Sequence, residues 1–160
     1  MKNHRTLKAS VEDPDSTIGI VVAKWNSFIT DELLAGALEV LHQKGIEDER
    51  VVVVRCPGAY EIPFIARQLL PKVDGVITLG AVIRGDTPHF HYVCDAANRG
   101  ITELNIQGNK PVVFGVLTTD NIEQAQQRAG IVESGKGNKG AEAALALLEM
   151  IDLNHQISQL

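Results

Sequence analysis

Aromatic side chains are scarce in this chain: Phe, Tyr and Trp make up 4% of its 160 residues, and Trp25 is the single tryptophan. A core built from this composition is aliphatic, and an aromatic outside a strand or helix invites a reason for its place. Cysteine is scarce as well. Cys56 and Cys94 stand far apart with no metal-ligand spacing. That excludes a disulfide framework and points to a cytosolic chain with reduced thiols. Positive charge does not dominate: 15 Lys and Arg face 20 Asp and Glu, for a net charge of −5. Without a long basic run, nucleic acid is excluded as the main partner. No apolar run approaches the length of a membrane span. Residues 1–15 carry basic side chains but no apolar core, so they do not read as a secretory signal. The expectation is a flexible arm over 1–16 and a single domain over 17–160, located in the cytoplasm.

What is present is ordinary for a globular protein, with 44% hydrophobic and 22% charged residues. Strand-like and helix-like runs alternate. Residues 17–23, TIGIVVA, read as a first strand. In 28–44, Leu33, Leu34, Ala37, Leu38 and Leu41 share one helical face, and Gly45 ends the run. Residues 50–55, RVVVVR, are a continuous β-branched run that predicts a strand buried on both faces. A short helix over 60–70 closes before Pro71, and 73–80 is a third strand. A helix over 88–106, a strand over 111–119, and helices over 121–129 and 138–153 complete the series. Such alternation predicts an α/β fold: a four-stranded parallel sheet with helices on both faces, a three-layer α/β/α sandwich.

The segment GAVIRGDTPHFHYV, beginning at Gly80, holds the chemistry. It leaves a buried strand, turns through Arg84, Gly85, Asp86 and Thr87, and enters a helix at Pro88. Thr87 is a good N-cap, and proline suits the first helical position because its missing N–H costs nothing there. Free N–H groups at a helix start attract anions, phosphate above all. His89 falls in that first turn. The positive helix end disfavours imidazolium while a bound phosphate favours it, a balance suited to an acid/base catalyst. The alternative is a plain surface histidine. In open α/β sheets, ligands bind beyond the carboxyl ends of the strands, where this turn would lie.

Other segments are weaker. GKGNKG at 135–140 matches G-x-G-x-x-G literally, but a polar helical run precedes it rather than a strand, and no Gly-Lys-Ser/Thr follows. The context excludes nicotinamide and ATP binding. What survives is a glycine loop with Lys136 and Lys139, near Arg128: an anion clamp or a solvated basic loop. His89 and His91 form H-x-H, but on a helix their rings diverge by about 200°. With no further ligand cluster, a metal is not expected. In CPGAYEIPF, Glu61 stands at a helix start, where it either complements the dipole or reaches a ligand. Trp25, just past the first strand, is a candidate stacking surface for a flat heterocycle. Phe114, inside the fourth strand, is more ordinary as core.

In order, KWN, PGAYEIP, LGAVIRGDTPHFHYV, PVVFGVLTT, QRAG and GNKG resemble the landmarks of the lumazine synthases. The likeness covers roughly 18–154 and implies a flavodoxin-like sandwich. It also implies condensation of 5-amino-6-(D-ribitylamino)uracil with 3,4-dihydroxy-2-butanone 4-phosphate to 6,7-dimethyl-8-ribityllumazine, a step of riboflavin biosynthesis that releases phosphate and water. No cofactor and no metal is implied.

On this sequence the resemblance places the pyrimidine-stacking aromatic at Trp25. Substrate contacts fall at Ala59, Tyr60 and Glu61, and at Ala81, Val82 and Ile83. The phosphate turn falls at Asp86 and Thr87, and the catalytic histidine at His89. Tyr60 replaces a common Phe. Asp86 replaces a small residue, so its carboxylate should turn away from the phosphate. Phe114 and Arg128 match positions that reach into a neighbouring subunit's site, Arg128 neutralising the phosphate, and Lys139 resembles a second cation. The implied partners are small-molecule substrates, further copies of the chain with sites at their interfaces, and riboflavin synthase.

The family forms pentamers, and some members close into icosahedral shells. The loop between Arg128 and Asn138 is longer than the GTKAGN-like turn of shell formers, and Pro14 interrupts strand addition by the arm. A pentamer or decamer is therefore expected rather than a shell. A non-catalytic flavin- or lumazine-binding or shell-forming relative is the alternative function. A flavodoxin-like binding module would need a phosphate loop after the first strand, and KWNSF is not one.

Overall fold

The computed structural model describes residues 4–12 and 14–160, so residues 1–3 and 13 of the expected arm lie outside the described residues. Four strands form one parallel sheet: β1 (Ile18–Ala23), β2 (Val51–Cys56), β3 (Gly75–Ile83) and β4 (Val112–Thr119), in the order β2-β1-β3-β4. The helices are α1 (Ser27–Gln43), α2 (Ile62–Leu69), α3 (His89–Gln107), α4 (Ile122–Arg128) and α5 (Lys139–Ser158). Two separate apolar clusters mark the two faces. Ile20, Val22, Leu33, Leu41, Ala125, Leu147 and Leu148 fill one, beneath α1, α4 and α5. Val21, Ile62, Ala66, Val76, Ile101 and Val116 fill the other, beneath α2 and α3. This is the three-layer α/β/α, flavodoxin-like sandwich, and its core is aliphatic, as the shortage of aromatics requires.

Local chemistry explains the element ends. Helix α1 stops at a Schellman closure: Gly45 N–H donates to His42 O (3.0 Å) and Ile46 N–H to Leu41 O (3.0 Å). Gly45 has φ +84°, a conformation glycine takes without a Cβ penalty. Ile46 then enters the core. Asn138 caps α5, its Oδ1 accepting from Gly140 N–H (2.8 Å) and Ala141 N–H (3.1 Å). Its Nδ2 donates to Glu32 O and Ala129 O, both at 2.9 Å. All four hydrogen-bonding capacities of one amide are thereby used to lock α1, α4 and α5 together. Gly140 sits so close to α1 that a Cβ would overlap the Leu33 carbonyl.

One strand departs from expectation. β1 is buried along its whole length, and so is β3 apart from half-buried Ile83. The valine run of β2, read as buried on both faces, is largely exposed within the chain, with Val52 at 40% and Val53 at 39%. It is an edge strand, and continuous β-branching reports strand propensity without reporting position in the sheet. The helix read over 60–70 splits into a 3₁₀ turn over Ala59–Glu61 and α2, while α5 runs further than the periodicity suggests. The arm is tied to α5: Ser10 N–H donates to Asp152 Oδ2 (2.7 Å), and Gln156 Nε2 donates to Lys8 O (2.8 Å).

Candidate active site

The order of connection reverses at β1: the chain crosses first to β2 on one side, then back past β1 to β3 and β4 on the other, with all strands parallel. The crevice at the carboxyl ends of β1 and β3 is where α/β sheets bind ligands. A cleft of about 650 Å³ opens there, lined by the β1–α1 link, the Gly58–Glu61 turn, the end of β3 and the start of α3.

The β1–α1 link is bent by Asn26, whose φ of 60° and ψ of 45° put it in the left-handed region that asparagine tolerates. Asn26 Nδ2 donates to Ala81 O (2.8 Å), fastening the link to β3. Trp25 N–H donates to Pro57 O (3.0 Å). Held at its backbone, Trp25 presents its ring to the cleft at 74% exposure, too open for a core residue. On the next wall Ala59 is buried and Tyr60 is exposed. The Glu61 carboxylate folds back toward Gly58, where a Cβ would stand 3.2 Å from Oε2. Behind this wall the Cys56 thiol donates to Gly58 O (3.4 Å). Burial, and secondarily the Glu61 charge, push its pKa up, so it stays a thiol and is no nucleophile. Cys94 is also pushed up, by burial.

Ala81, Val82 and Ile83 form the floor where β3 ends. The chain then turns through Gly85 and Thr87 into α3, with His89 as its first helical residue. Thr87 Oγ1 accepts from His89 N–H, a long contact of 3.4 Å. Pro88 rather than Thr87 takes the N-cap position, so the regular helix starts one residue later than the sequence suggests and Thr87 keeps only this long contact ahead of it.

The family comparison bears on this cleft. A family model described as 6,7-dimethyl-8-ribityllumazine synthase matches residues 15–155. The chain belongs to the 6,7-dimethyl-8-ribityllumazine synthase family. The lumazine synthase landmarks in the sequence all fall within the matched residues, and the activity of the family is an enzymatic step of riboflavin biosynthesis.

Of the residues singled out in the sequence, Trp25, Ala59, Tyr60, Glu61, Ala81, Val82, Ile83, Thr87 and His89 line the one cleft. Phe114, Arg128 and Lys139 do not. They line a separate hollow of about 410 Å³ between β4, α4 and α5. Arg128 Nη1 donates to Gln124 O (3.2 Å), and Lys139 Nζ pairs with Glu142 Oε2 (2.7 Å). Asp86 is exposed and lines neither hollow. Asn26, Gly58, Gly85, Phe90 and Val93 also line the cleft and were not singled out. Asn26 belongs to the KWN landmark, and Val93 lies one helical turn beyond His89, so both carried a signal. Among the described residues no helix is long and apolar enough to cross a membrane, and no group of three or more His, Cys, Asp or Glu could hold a metal ion.

Proposed function

We propose that the cleft condenses 5-amino-6-(D-ribitylamino)uracil with 3,4-dihydroxy-2-butanone 4-phosphate to give 6,7-dimethyl-8-ribityllumazine, phosphate and water. The observation that carries this reading is the convergence, in one cleft, of an open tryptophan face, a carboxylate and a helix start that bears a histidine. The pyrimidine is flat, and an indole face is a stacking surface for it. The butanone phosphate is an anion, and the turn before α3 offers backbone N–H groups to one.

The reaction needs no strong nucleophile from the protein. The 5-amino group of the pyrimidine attacks the ketone carbonyl, and water leaves as the imine forms. A proton is then lost from carbon and phosphate departs. The enol left by this elimination takes up a proton at its terminal carbon and becomes a methyl ketone. The ribitylamino nitrogen attacks that new carbonyl, and loss of a second water completes the ring. His89, beside the anion turn, is the group placed to carry these protons. Positioning two reactants against each other supplies much of the rest. Arg128 and Lys139 open onto a separate hollow within the chain. They serve the phosphate from a neighbouring copy, with Phe114 closing the cleft from the same side. Sites shared between copies in this way make the working unit a homo-oligomer.

Incubation with both substrates tests the reading. Growth of lumazine absorbance and fluorescence, above the uncatalysed rate, is the expected result. Binding of a lumazine or flavin without turnover would overturn it in favour of a carrier.

A further inference from the structure

Residues 84–89 are all exposed within the chain, so burial does not hold the turn between β3 and α3 in shape. A Cβ built on Gly85 would meet nothing within 4 Å. Yet this turn carries the N–H groups and the His89 ring that the cleft depends on. One side chain spans it. Arg84 Nε donates to Asp120 Oδ1 at 2.9 Å, just past the end of β4. Arg84 Nη1 lies 3.2 Å from His91 Nε2, and since guanidinium only donates, that nitrogen accepts. The guanidinium carbon also lies 4.4 Å from the centroid of the Phe90 ring, which in turn lines the cleft. Arg84 N–H donates to Thr119 O (2.9 Å), fixing the root of the side chain. The residue before the turn is therefore clamped to the first turn of α3 and to the end of β4 at once. Arg84 itself does not line the cleft.

We propose, on the condensation reading of the cleft, that Arg84 is the positioning residue of the anion turn. Its planar fork, braced by Asp120, His91 and Phe90, sets where the N–H groups of residues 85–87 and the His89 ring meet the phosphate-bearing substrate. The pyrimidine side of the cleft, built on Trp25 and Ala59–Glu61, does not depend on it. Lysine cannot reproduce the clamp, since a single ammonium reaches Asp120 but cannot also lie flat on a ring and donate to His91.

The test is a set of variants, Arg84→Ala, Arg84→Lys and Asp120→Asn, each checked for unchanged circular dichroism and assembly mass. In Arg84→Ala the KM for the butanone phosphate should rise by about ten- to a hundredfold, the range that a small misplacement costs. Binding of inorganic phosphate, followed by calorimetry, should weaken in parallel. Pyrimidine affinity, read from quenching of Trp25 fluorescence, should stay within about twofold of wild type, inside the scatter for an untouched contact. Arg84→Lys should recover part of the loss, and Asp120→Asn should show a smaller loss of the same sign. If Arg84→Ala does not fold, Asp120→Asn carries the test alone. Unchanged phosphate affinity, or equal loss of both substrates, would overturn the role given to Arg84. Wild-type protein that binds phosphate without turnover would instead overturn the condensation reading and leave the phosphate comparison to decide the role of Arg84.

Discussion

At the scale of single residues, the cleft asks little of any one side chain beyond His89. No metal-ligating cluster adjoins it among the described residues, and the nearby Cys56 thiol is kept protonated by burial. General acid/base catalysis is worth about 10²–10⁴-fold, so His89→Ala should lower kcat within that range. A slow rate should remain, because substrates held face to face react partly unaided. Wild-type kcat in this variant, measured by stopped-flow absorbance from pH 6 to 9, would remove His89 from the chemistry. Tyr60 shows a different kind of residue effect. Tyr60 lines the cleft and the residue is 61% exposed, so the hydroxyl that sets it apart from Phe does not have to be buried against the protein.

At the scale of elements, the joint among α1, α4 and α5 rests on the Asn138 amide. Asn138→Ala removes the cap of α5 and the two bonds that the amide donates to the Glu32 and Ala129 carbonyls. A lost cap together with two lost hydrogen bonds should cost about 2 kcal/mol. Thermal unfolding at fixed protein concentration should show the drop, while a shift inside the error would mean that water replaces the amide. Because Ala129 and Asn138 also pair across the base of the loop, residues 130–137 form a closed excursion. Their extra length therefore acts through bulk at the surface, and the angle between α4 and α5 stays set by the pinned base. The arm is held by a second polar joint. The Ser10 N–H, and after it the Gln156 side chain, hold the Asp152 carboxyl below its ordinary pKa. A lowered carboxylate pKa means that this contact stabilises above the ordinary Asp value of about 3.9 and is lost as pH falls through the lowered one. The hydrogen-exchange protection factor at Ser10 should fall across that acid window, and Asp152→Ala should lower it at neutral pH as well. Equal protection in wild type and variant would show that the arm is held elsewhere.

At the scale of the whole molecule, the candidate residues are divided: His89 lines one hollow, Arg128 another between β4, α4 and α5. If neighbouring copies complete each other, an impaired Arg128→Ala chain and an impaired His89→Ala chain, dissociated and reassembled together, should gain activity above either alone through sites that inherit one intact half from each. Verified mixed oligomers without recovery would place the whole site in one chain. The same geometry makes edge strand β2, with its exposed valines, a surface that an assembly would cover. The long 130–137 loop and Pro14 lead to an expected mass near five or ten times 17.3 kDa by light scattering in neutral buffer. A megadalton particle would instead show that the loop bulk does not block shell contacts.

The sequence alone determined the elements and their order, since the 3.6-residue helical period, the short β-branched runs and Gly45 act within a few residues of themselves. It also marked most of the cleft, since Trp25, Glu61, Thr87 and His89 each follow a strand and a parallel sheet gathers such ends on one edge. Only the tertiary structure decided that β2 lies at the rim, because valines look alike in central and edge strands. The fold also decided that Asn26 reaches Ala81 and that Arg84 meets Asp120 and Phe90. Those contacts depend on where separate strands end in space, and no local period encodes that.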